Sequence, residues 1–135
     1  ELETLLEESD IVTVHVALTD ETRHLIGEKE LRRMRRDALL INVSRGGTVD
    51  EKALFKSLKE GWIGGAGLDV LENEPLVKGN PLVSLSNVII TPHIAWYSID
   101  SLAEIQEKAA EQVAAALCGQ IPPFLLNKEV LDRSK

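Results

Sequence analysis

One arginine, three carboxylates and one histidine lie at or just past runs of branched apolar residues. Arg45 follows ALLINV, Asp69, Glu72 and Glu74 lie within and beyond AGLDVL, and His93 follows NVIIT. Taken singly, each has an ordinary explanation. An arginine in a glycine-bounded loop is commonly a surface residue, and an aspartate inside an apolar run is commonly a cap or a buried acceptor. Their shared position is more informative, because in open α/β sheets ligands gather at the carboxyl ends of the strands. Delivered to one sheet edge, the set suits redox chemistry at a 2-hydroxy or 2-oxo acid. The Arg45 guanidinium offers a planar fork for a substrate carboxylate and can polarise a neighbouring carbonyl. His93 can give a proton to the carbonyl oxygen as hydride arrives, or take it back in the reverse direction. A carboxylate such as Glu74 beside His93 favours the imidazolium. Asp69 offers an acceptor for an amide, for instance the carboxamide of a nicotinamide.

Positioning these groups requires strands, and four short apolar runs supply them: residues 11–16 (IVTVHV), 38–43 (ALLINV), 66–71 (AGLDVL) and 87–91 (NVIIT). None alternates apolar with polar, so each reads as a strand covered on both faces, as in a parallel sheet. Helical stretches lie between most of them. Residues 28–36 follow Gly27, and residues 51–60 follow Asp50, a good N-cap, and end at Gly61. The longest predicted helix covers residues 98–118, with Leu102, Ile105, Ala109, Val113 and Leu117 at helical spacing and Gly119 beyond. Strands alternating with helices predict an α/β fold built of βαβ units. The opening ELETLLEE reads as a helix already under way, so the expectation is a cut end rather than a natural start.

Composition narrows the function classes. With 22 acidic and 15 basic residues the formal net charge is −7, which argues against nucleic acid as a partner. No apolar run reaches the roughly 18–20 residues that a membrane span needs. The single cysteine, Cys118, excludes an intrachain disulfide and fits a reducing, cytoplasmic setting; its place at a helix end suggests packing. His15 and His24 read as structural, and no HxH or HExxH spacing supports a metal site. The arginines of RRMRR (32–36) read as a solvated helix face that also complements the helix dipole.

Three motifs then occur in order: NVSRGG (42–47) with Asp50, LDV (68–70) with Glu74-Pro75, and TPH (91–93). On these the chain resembles the D-isomer-specific 2-hydroxyacid dehydrogenases over residues 2–127. The continuation AWYS (95–98) resembles most the branch holding the C-terminal-binding-protein corepressors and their bacterial enzyme relatives. The resemblance implies a Rossmann-like sheet, NAD as cofactor with NADP as an alternative, and a small 2-oxo or 2-hydroxy acid as substrate. It also implies a homodimer at full length. Residue by residue, Arg45 matches the substrate-carboxylate arginine, His93 the catalytic histidine, and Glu74, rather than Glu72, the glutamate paired with it. Asp69 matches the aspartate at the nicotinamide end of the cofactor. Val16, Ala17, Leu18 and Thr22 match the loop lining the nicotinamide ribose, and Val43 and Ser44 match backbone contacts beside it. Trp96 matches a wall of the substrate pocket. Many members carry proline where Ala17 stands, which implies a less stiff loop here.

The family's GxGxxG turn has no counterpart. Gly65-Ala-Gly67 is half a fingerprint, lies within a predicted strand and lacks the third glycine. The expectation is therefore that residues 1–97 are the second half of a cofactor domain. Residues 98–135 would be a closing helix and tail that return toward a substrate domain. A dehydrogenase is the leading reading, and a dinucleotide-sensing, corepressor-like binding protein of the same fold is the alternative.

Overall fold

The four apolar runs form one parallel sheet in sequence order: β1 (Ile11–Val14), β2 (Leu39–Asn42), β3 (Gly65–Leu68) and β4 (Val88–Ile90). The computed structural model describes residues 1–134, in two compact units, Glu1–Ala95 and a second that begins at Trp96. In the first unit the strand register creates two kinds of row. Val12, Leu40, Ala66 and Val88 line up, as do Val14, Asn42, Leu68 and Ile90; the residues between them point the other way. The inward rows meet Leu6 of α1 (Leu2–Glu8), Leu31 of α2 (Glu28–Arg33), and Leu54 and Leu58 of α3 (Glu51–Glu60) in one aliphatic core.

The opposite face departs from the sequence expectation. Ile11, Leu39 and Ile89 are exposed on it, so the first unit's own helices cover the strands on one face. Helices joining parallel neighbours in steady succession fall on the same side of a sheet. An apolar residue on the other side carries no signal in the sequence to tell it apart.

Helix ends follow local chemistry closely. Asp50 Oδ1 accepts from the amides of Lys52 and Ala53, which fixes the start of α3, and Gly61 ends it in the left-handed region (φ 70°). The RRMRR segment is a solvated face for three of its arginines. Arg32 pairs with Glu28 and lies over the Trp62 ring, Arg33 pairs with Glu7, and Arg35 meets Asp10 and Asp37. Met34 is buried among them.

The second unit holds α4 (Ile99–Leu117), capped by Ser98, whose hydroxyl accepts from the Ser101 amide. None of its residues is buried, and Cys118 is an exposed free thiol rather than a packing residue. Among the described residues no helix is long and apolar enough to cross a membrane.

Candidate active site

Each strand hands its chain to a loop at the carboxyl edge, and these loops are tied to one another. After β1, the Thr22 hydroxyl donates to the Ala17 carbonyl (2.6 Å) and accepts from the Thr19 amide (2.7 Å). This closes the loop without the stiffening proline. Leu18 rests against Gly47, where an added Cβ would lie 3.1 Å from Leu18 Cδ2. The His24 and Ile26 amides donate to the Gly47 and Thr48 carbonyls, fastening the loop after β1 to that after β2. Val16, Ala17, Leu18, Thr22, Val43 and Ser44 thus belong to two adjoining loops.

Gly46 joins the second loop to the third. A Cβ there would overlap the Leu71 carbonyl group, so only hydrogen lets the two backbones approach this closely. Arg45 therefore leaves the chain beside the segment carrying Glu72 and Glu74. Its Nη1 donates to the Ser44 carbonyl (2.7 Å), one of five guanidinium donors, and its side chain does not bond to Glu74 or His93.

The two candidate glutamates part company. Glu74 Oε2 accepts from His93 Nδ1 at 2.6 Å while its Oε1 takes the Leu71 amide at 2.9 Å. Glu72 instead meets His24 Nε2 at 3.1 Å and takes the Glu51 amide at 3.0 Å, and its own amide donates to Glu51. Burial pushes the Glu74 carboxyl up, but the bonds from His93 and the Leu71 amide and the His93 charge outweigh it. The result lies below the usual glutamate value. An ionised Glu74 can only accept, so Nδ1 carries the proton of this bond.

Asp69 builds the loop on which His93 stands. It lies just past the end of β3, 5% exposed, and takes three donors: Thr91 Oγ1 and the Ile94 amide on Oδ1, and the Ala95 amide (2.8 Å) on Oδ2. Burial pushes its carboxyl up, yet these bonds and the His93 charge hold it below the ordinary aspartate value. His93 sits in the left-handed region (φ 56°), its amide donating to the Asp69 carbonyl at 2.9 Å. A non-glycine residue kept there by its surroundings is a mark of functional loops. The pair borders a cavity of about 530 Å³ walled by Leu71, Leu76, Val83 and Ile90. Trp96 opens the second unit, half exposed and edge-on to Tyr97 at 5.4 Å.

A parallel sheet that gathers a histidine–carboxylate pair at its carboxyl edge places these groups where open α/β folds bind their ligands. The match to the D-isomer specific 2-hydroxyacid dehydrogenase, NAD binding domain, over residues 1–95 makes this specific. The chain belongs to that family, and NAD is its cofactor. It is 55% identical over 130 residues to the glyoxylate reductase of Korarchaeum cryptofilum, covering 96% of this chain and 39% of that protein. Among solved structures, the TT0316 protein from Thermus thermophilus superimposes with a TM-score of 0.85 and 44% identity, over 90% of this chain and 39% of that one. D-lactate dehydrogenase with NAD+ from Lactobacillus jensenii gives 0.84 and 31%, over 95% and 42%. The chain thus spans about 39% of the length of the relatives it matches. These matches do not single out the corepressor-like branch.

The residues present fit the nicotinamide end of NAD. Oδ2 of Asp69 holds one donor and keeps acceptor capacity for an amide, and Val43 and Ser44 follow Asn42, whose carbonyl takes the Asp69 amide. Gly65 and Gly67 serve a different end. Both lie in β3, where added Cβ atoms would meet the Asn87 carbonyl at 2.9 Å and Ile41 Cδ1 at 3.1 Å. They allow close packing within the sheet and form no phosphate turn.

Proposed function

We propose that this chain supplies the catalytic edge of an NAD-dependent reductase that converts 2-oxo acids reversibly to D-2-hydroxy acids. Glyoxylate is the first substrate to test, because glyoxylate reductases are among its relatives. The observation that carries the reading is the 2.6 Å bond between His93 Nδ1 and Glu74 Oε2. Bound cofactor supplies hydride. The chain's own residues do the rest. Arg45 grips the substrate carboxylate and polarises the carbonyl, and His93 donates through Nε2 to the oxygen as negative charge develops there. Glu74 fixes the ring and supports the imidazolium. Asp69 orders the His93 loop and accepts from the nicotinamide amide. Val16, Ala17, Leu18, Thr22, Val43 and Ser44 line the ribose, and Trp96 walls the substrate pocket.

In this reading residues 1–97 are the second half of the cofactor domain, and residues 98–135 return to a substrate domain. The full-length protein is a cytoplasmic homodimer using NAD in preference to NADP. The test is oxidation of NADH by the full-length protein with glyoxylate, pyruvate and hydroxypyruvate. Turnover supports an enzyme. NADH binding with no turnover of any of the three would leave the corepressor-like reading in its place.

A further inference from the structure

Asn42 is the one polar side chain in the inward row Val14, Asn42, Leu68 and Ile90, and it is 1% exposed. Burying an amide there is costly unless its hydrogen bonds are made. All four are. Nδ2 donates to the Arg45 carbonyl (3.1 Å) and to Thr48 Oγ1 (3.3 Å), and Oδ1 accepts from the Ser44 amide and the Ser44 hydroxyl, both at 3.1 Å. Thr48, fully buried, adds its hydroxyl to the Arg45 carbonyl at 2.6 Å and its amide at 3.2 Å. The turn after β2 is therefore wrapped around one buried amide, and three donors converge on the backbone oxygen of Arg45. The Asn42 carbonyl also receives the Asp69 amide at 2.9 Å, joining this strand end to the one that orders His93.

A leucine would suit the row better and would release the loop. We infer that Asn42, backed by Thr48, is a positioning residue that fixes the direction in which the Arg45 guanidinium leaves the sheet edge. The inference rests on the dehydrogenase reading above, because Arg45 matters only if it grips a substrate carboxylate.

The test is steady-state kinetics of the full-length enzyme carrying Asn42→Asp or Thr48→Val, each also combined with Arg45→Lys. Asn42→Asp keeps the shape and sets an oxygen against the Arg45 carbonyl. Thr48→Val removes both the donor to the Arg45 carbonyl and the acceptor of one Asn42 N–H while keeping the volume, so it decides the matter if the first variant does not fold. Each single change should raise KM for glyoxylate at least about tenfold, the scale of a lost buried hydrogen bond. NADH affinity should stay within about twofold. On the Arg45→Lys background the same changes should cost far less, as expected of groups acting through one another. Equal losses on both backgrounds, or NADH affinity falling in parallel, would overturn the inference and leave the dehydrogenase reading intact. A parent with no turnover would overturn both.

Discussion

His93 and Glu74 are joined through Nδ1 and Oε2 at 2.6 Å, with the carboxylate held from its other side by the Leu71 amide. That second bond makes the pair directional: Glu74 cannot swing away without exposing a backbone donor. In the proposed reaction the Glu74 charge supports the protonated ring that reduction consumes. Glu74→Gln removes this charge and offers Nδ1 a neutral partner, so kcat/KM for glyoxylate should fall about tenfold, the scale of a weakened charge-assisted hydrogen bond, while NADH affinity stays nearly unchanged. Glu72→Gln, acting on the His24 and Glu51 side, should leave kcat/KM in place.

Asp69 predicts an acid-labile loop. Its carboxyl is held below the ordinary value, so its contribution to stability is complete above about pH 4 and is lost as pH falls through the folded-state value. Asp69→Asn sets an amide against the Ala95 donor and should cost about 1–3 kcal/mol at pH 7. Urea unfolding of parent and variant should show that gap narrowing toward pH 3. A gap independent of pH would mean that ionised Asp69 is not what orders the loop.

Gly46 and Gly61 separate sterics from backbone freedom. Gly46→Ala drives a methyl into the Leu71 carbonyl and should cost at least about 1–3 kcal/mol, the scale of overpacking. Gly61→Ala meets open space, and its left-handed backbone should cost about 1–2 kcal/mol. Because only Gly46 touches the Glu74 segment, only Gly46→Ala should also lower turnover in the full-length protein. Equal turnover losses for the two would detach Gly46 from the site.

Much of this was legible in the sequence, for local reasons. The bounds of α3 follow from Asp50 and Gly61, which cap it directly. The strand runs overshoot because Val16, Val43 and Leu71 continue the apolar pattern after pairing has stopped. One-sided cover was hidden, since Ile11 and Val12 read alike and only the succession of helices separates them. Glu72 and Glu74 could not be told apart by type, and the choice of Glu74 came from the family pattern. Asn42 was invisible as a hub: an asparagine ending an apolar run gives no sign that four bonds will close around it.

Residues 1–135 alone should bind NAD poorly. The chain holds elements for the nicotinamide end, and its glycine pair in β3 serves sheet packing rather than a pyrophosphate turn at a helix N-terminus. Calorimetric titration should show no saturation at micromolar NAD. Micromolar affinity would mean that these loops grip the dinucleotide without that turn.

The most direct test of the central claim is His93→Ala in the full-length protein, with turnover and NADH binding measured on the same preparation. General acid catalysis is worth roughly 10²–10⁴-fold. Glyoxylate-dependent NADH oxidation should fall by that order while NADH affinity stays nearly unchanged. Turnover within a few-fold of the parent would contradict that claim, because the proton would then come from a group other than His93.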